Sequence, residues 1–130
     1  MGYQSVTVNS GAASGSNGSA TNNGTSTHIV NGEICSVGVT YGDSPPASTD
    51  VTIATTGDHG PALTILTITN ANSDGWFNVR HKLDDESAAD ISYDGTEEVY
   101  GKVAVSDTIK VTIAGANAND TAEVVILYYC

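Results

Sequence analysis

Apolar and β-branched residues alternate with polar ones in short runs along most of the chain, and Gly, Pro, Asn, Asp and Ser separate the runs. A period of two bounded by turn residues marks half-buried strands, and no stretch carries convincing helical periodicity. Tyr3-Gln4-Ser5-Val6-Thr7-Val8 reads as a short strand. Residues 26–30, Asn31-Gly32 and residues 33–41 read as a hairpin, because Asn-Gly accepts the two positive φ values of a type I′ turn. In the second strand Cys35, Val37, Val39 and Tyr41 are predicted to face the core, with Ser36, Gly38 and Thr40 outside. Pro45-Pro46 breaks the pattern, which resumes at Val51-Thr52-Ile53.

Residues 57–61 form a turn leading into residues 63–69, where Leu63 and Ile65 share one face and Leu66 and Ile68 the other. That conflict implies a bulge or burial on both faces. A turn at 70–75 precedes a strand at 76–81, whose first residues, Trp76 and Phe77, put two rings on opposite faces. One ring fills the core, and the other belongs to a ligand platform or a subunit interface. Segment 83–93 reads as a loop with a short helical turn near 85–89. Strands at 99–105, 108–113 and 122–129 complete the set, with residues 115–120 as the loop of a final hairpin. Seven or eight short strands predict an all-β chain, a single small β-sandwich of jelly-roll or immunoglobulin-like type.

Composition adds a division. The first 32 residues carry no Asp, Glu, Lys or Arg, and all 15 acidic and 4 basic side chains follow from Glu33 onward. Of the 19 residues from 9 to 27, 16 are Gly, Ser, Asn or Thr and the other three are Ala. Such a stretch buries too little apolar surface to offset its ordering entropy, so residues 1–27 are expected to be a flexible N-terminal arm, with the sandwich at 28–130. Tyr3 to Val8 would then be a strand-forming hook on a slack line, suited to strand addition on a neighbour.

A formal net charge of -11 opposes binding to nucleic acid or anionic lipid. Arg80, Lys82, Lys102 and Lys110 are scattered, and no apolar run reaches the roughly 18 residues of a membrane span. The N-terminus lacks the basic and apolar regions of a secretory signal. Cys35 and Cys130 match no zinc or redox spacing; they read either as two buried free thiols or as a disulfide joining the first and last strands, which would stabilise by ~4 to 5 kcal/mol.

Chemistry is hard to assemble from what remains. His28, His59 and His81 have no Gly-x-Ser-x-Gly elbow to serve, and no two glycines are spaced for a dinucleotide fingerprint. Asp84, Asp85, Glu86, Asp90 and Asp94 are the densest carboxylates, yet lack the order of a calcium loop and read as a solvated acidic loop. Neither a catalytic residue nor a cofactor or metal site is expected. Residues 124–129, apolar or aromatic throughout, imply a strand covered on both faces, either by a second subunit or within the monomer.

The block from Thr49 to Ala54, Gly60 to Thr67 and Asp74 to Arg80, continued by Val99 to Val105 and the C-terminal strand, resembles small capsid decoration proteins of tailed bacteriophages, also called cement proteins. The resemblance covers about residues 33–129. It implies a structural protein on the outer surface of the virion, made in the host cytoplasm, that bridges major capsid protein subunits, often as a homotrimer. A carbohydrate-binding module, with Trp76 or Tyr100 stacked on sugar rings, is the alternative. Saturable glycan binding separates the two.

Overall fold

The alternating runs become strands because each can place its apolar parity inside and close its main-chain hydrogen bonds against a neighbour. The protein is described from a computed structural model covering residues 2–79, 81–82, 92–93, 97–98, 100–101 and 103–129. Its strands are β1 (Tyr3–Asn9), β2 (Ala20–Thr25), β3 (Val30–Gly42), β4 (Asp50–Thr55), β5 (Thr64–Ile68), β6 (Gly75–Phe77), β7 (His81–Lys82), β8 (Ser92–Tyr93), β9 (Glu97–Glu98), β10 (Tyr100–Gly101), β11 (Val103–Asp107), β12 (Ile109–Ala116) and β13 (Thr121–Tyr129). Strands β1, β13, β3 and β11 lie in that order in a five-stranded antiparallel sheet whose fifth member, β6, also pairs with β3. A four-stranded antiparallel sheet has the order β2, β12, β4, β5. Two short ribbons, β7 with β10 and β8 with β9, complete the described pairings. The architecture is all-β, with no helix among the described residues, as the alternation predicts.

One core lies between the two sheets. Val124, Ile126 and Tyr128 of β13 and Val37 and Val39 of β3 contribute from one side, and Ile109, Val111 and Ile113 of β12 with Val51 and Ile53 of β4 from the other. Each fully buried Ile or Val adds about 1.5 to 3 kcal/mol relative to leaving it in water. The conflict at residues 63–68 is resolved by a bulge: Leu66 pairs with Ile53 and Thr64 with Ala54, so Ile65 is the extra residue and is buried with Ile68.

Four sequence expectations are corrected. The first is the arm: β1 pairs with β13 along its whole length, from Tyr3 opposite Tyr129 to Asn9 opposite Glu123, and β2 pairs with β12. Between them the chain is held by its backbone. Ser10 N–H donates to the Ala122 carbonyl (2.9 Å), Ala13 N–H to Asp120 (2.8 Å) and Gly18 N–H to Ala116 (2.9 Å), while Asn119 N–H donates to Ala13 (2.7 Å). Main-chain bonds and a few buried small residues, Ala13 and Ala20 among them, replace the large side chains whose absence suggested a tether.

The second correction concerns Asn31-Gly32, which is not a turn. Both residues lie inside β3, where Gly32 pairs with Val105 and Asn31 with Ser106, and burial of Val30 and Ile34 outweighs the local turn preference. The third concerns residues 115–120, which join β12 in one sheet to β13 in the other rather than closing a hairpin.

The parity expected for β3 also changes midway. Leu127 pairs with Ser36 and Tyr128 with Ile34, which makes Cys35 the extra residue of a second bulge. Ile34 and Val37, three apart, therefore both face inward. The bulge lies where β3 changes partners on its other edge, from β11 at residues 30–34 to β6 at 37–39. Cys35 carries a free, half-buried thiol, and Cys130 lies outside the described residues.

Candidate functional site

Strand β6 is three residues long, and its alternation decides where its two rings go. Phe77, opposite Val37, packs against the core, whereas Trp76, opposite Gly38, points to the outer face of the five-stranded sheet. A Cβ built on Gly38 would meet the indole Cε2, Cζ2 and Cη2 atoms at 2.9 Å each. Three equal distances mean that the six-membered ring lies flat over the Gly38 Cα, which only glycine permits. The ring nevertheless keeps 64% of the Trp76 surface open to solvent, so its other face is free.

A shallow groove of about 300 Å³ runs beside the indole, lined by Gly38, Thr40, Asp74, Gly75, Trp76 and Val125. Asp74 is fixed in place, because its Oδ1 accepts the Tyr41 N–H at 2.9 Å. Along the same outer face Ser36 Oγ donates to Asn78 Oδ1 at 3.0 Å. Val125 and Leu127 are half-buried, and Tyr129 meets Tyr3 edge to face, with ring centroids 5.2 Å apart. The apolar run at residues 124–129 thus divides by parity: its inward members are core, and its outward members form an aromatic-ended stripe across the sheet. The Tyr41 side chain packs against the core, and its hydroxyl is buried with no hydrogen-bond partner among the described residues. Burial, and then the carboxylates of Asp74 and Asp50, push its pKa up.

A second polar cluster lies at the turn between β11 and β12. Asp107 continues the inward parity of Val103 and Val105, and its side chain is only 1% exposed. Its carboxylate accepts from Gly57 N–H (2.6 Å), Thr108 N–H (2.8 Å), Thr56 Oγ1 (2.9 Å) and His59 N–H (3.2 Å), with His59 Nδ1 at 3.3 Å. Burial pushes this carboxyl up, but hydrogen bonds from Thr56, Thr108, Gly57 and His59 outweigh it and hold the group well below the usual carboxylate range. The cluster latches the 56–60 loop onto the strand end. Its signal in the sequence is an Asp at an inward position of an alternating strand, which demands donors.

The remaining sequence candidates fall as follows. His28 is exposed, and its carbonyl accepts the Ser26 hydroxyl at 2.7 Å. The backbone of His81 lies in β7 and that of Tyr100 in β10, where His81 pairs with Gly101 and Tyr100 with Lys82, while their side chains are not described. Asp84, Asp85, Glu86 and Asp90 of the acidic cluster, with Asp94, lie outside the described residues. Among the described residues no group of three His, Cys, Asp or Glu side chains is gathered to hold a metal.

No protein-family model matches the chain, and no curated protein does. Among solved structures, the crystal structure of FlhE is similar over the whole of both chains, with a TM-score of 0.46 and 14% identity. The expectation of a capsid decoration protein is corrected at this point. The hook on a slack line, on which bridging would depend, is a strand of the chain's own sheet, and FlhE, a structure that the chain is similar to, is not a capsid protein.

Proposed function

We propose that this protein is a non-catalytic binding module that holds a saccharide against Trp76. The observation that carries the reading is the indole lying flat on Gly38 with its outer face open. A pyranose ring presents an apolar C–H face of matching size and a rim of hydroxyls. The ring face suits the indole, and Asp74 and Thr40 at the groove edge supply acceptors and donors for the rim. The charge of -11 disfavours phosphate-bearing ligands, which would otherwise compete for an open aromatic ring.

Native affinity electrophoresis through gels containing soluble β-glucan, xylan or mannan tests the proposal. Wild-type protein is expected to be retarded by at least one polymer, and Trp76→Ala to lose ~10-fold or more in affinity while retaining its circular dichroism spectrum. Unchanged mobility of the wild type in all three gels, or equal retardation of Trp76→Ala, overturns the reading.

A further inference from the structure

Each sheet has two edges, and an edge is a row of main-chain groups able to recruit another chain unless something blunts it. Strand β5 is interrupted by the Ile65 bulge, β11 is five residues long and ends at the Asp107 latch, and β6, which shares the β11 edge, has three residues. The pairing of β2 with β12 shifts register between Ile113 and Ala116, and the Gly24 backbone sits against the Asn9 carbonyl. Strand β1 differs from these four: it is seven residues long, pairs with β13 without a register shift, and contains no proline and no charged residue. Among the described residues no strand lies beyond it.

Charge points to the occupant. The chain carries -11, yet none of its first 32 residues is Asp, Glu, Lys or Arg, and those residues supply one edge strand of each sheet, β1 and β2. The two strands meet where Asn9 touches Gly24, so they form one lateral side of the sandwich. Two copies of so acidic a protein repel over about a Debye length, roughly 8 Å at physiological salt, and this charge-free side is where their backbones can come together. A strand meeting its own copy about a two-fold axis pairs antiparallel, which closes the contact and leaves no β1 edge open to a third copy.

We infer that the protein forms a two-fold dimer by antiparallel pairing of β1 with β1 of a second copy, fusing the two five-stranded sheets into one. The axis stands perpendicular to the sheet, so both outer faces point the same way. This inference stands independently of the saccharide reading.

Light scattering after size exclusion, at micromolar concentration, tests it with the full chain. Wild type is expected to have twice the chain mass, and Ser5→Lys/Thr7→Lys, which adds charges on the exposed face of the edge strand, to have the mass of one chain with an unaltered far-ultraviolet spectrum. Raising salt from 0.05 to about 0.5 M should strengthen the wild-type dimer, because screening lowers the mutual repulsion and the contact holds no ion pair. A wild-type mass of one or three chains overturns the inference, as does a folded double-lysine variant that remains dimeric. If that variant does not fold, wild-type mass and its salt response decide: a dimer that weakens with salt overturns the proposal.

Discussion

Residues 2–27 and the strands β12 and β13 belong to the same sandwich and are held in it by opposite means. Strands β12 and β13 bury Ile109, Val111, Ile113, Val124 and Ile126 completely, and their main-chain bonds come along with that burial. The N-terminal segment buries Val8, Ala13, Ala20 and the hydroxyl-bearing Ser10, and owes its place to main-chain bonds. Ser10 Oγ accepts the Ala122 N–H at 3.0 Å and donates to the Gly11 carbonyl at 2.9 Å. Ser26 repeats the device at the far end of β2, accepting the Ile109 N–H at 3.0 Å and donating to His28. A strand can therefore be integral to a fold without any large side chain to announce it.

Deletion of residues 2–27 is expected to abolish cooperative thermal unfolding, because it strips one edge from each sheet and opens the core at β12 and β13; calorimetry of the truncated chain checks this. A flexible arm would have left the transition unaltered. Ile126→Ala, which empties a fully buried position on the other side of the comparison, should cost about 2 to 5 kcal/mol in urea unfolding. Ser10→Ala creates almost no cavity but leaves the buried Ala122 N–H without its acceptor, and should cost about 1 to 3 kcal/mol by the same measurement.

Asp107 makes the stability of the fold depend on pH. Its carboxyl is held below its ordinary range in the folded state, so its contribution is fully present above the unfolded value, about pH 4, and is lost as the pH falls below it. Asp107→Asn should flatten this part of the acid limb when unfolding midpoints are followed from pH 7 downward. The smallest effect is expected at the outer face, where Trp76→Ala should change stability by no more than about 0.5 kcal/mol while removing the proposed ligand platform.

What was legible in the sequence follows from the same contrast. Strands β4, β12 and β13 show in the alternation because their inward positions are Val and Ile, and the bulge in β5 shows as a conflict of parity. The opposite placement of Trp76 and Phe77 is legible too, since it needs only a strand at that point. Strand β2 is not legible. Its inward residues are Ala20, Asn22 and Gly24, and Asn22 spends its side chain on the Ala12 carbonyl at 2.8 Å. The Trp76 platform depends on a glycine that pairs with it 38 positions earlier in the chain, a relation that only register supplies. Asn31-Gly32 misleads because its turn preference is local and the ladder to β11 is not.

The bulge at Cys35 gives β3 an uneven response to insertions and deletions. Removing Cys35 alone would leave Ile34, Ser36 and Val37 to face Tyr128, Leu127 and Ile126 in unbroken alternation, with both apolar residues still inside. Loss of Gly38 or Thr40 instead would turn half of the strand over, sending either its core residues to solvent or its outer residues to the core. Length variation in the longest strand of the fold is thus tolerated at one position, where the chain already carries a residue more than its partner.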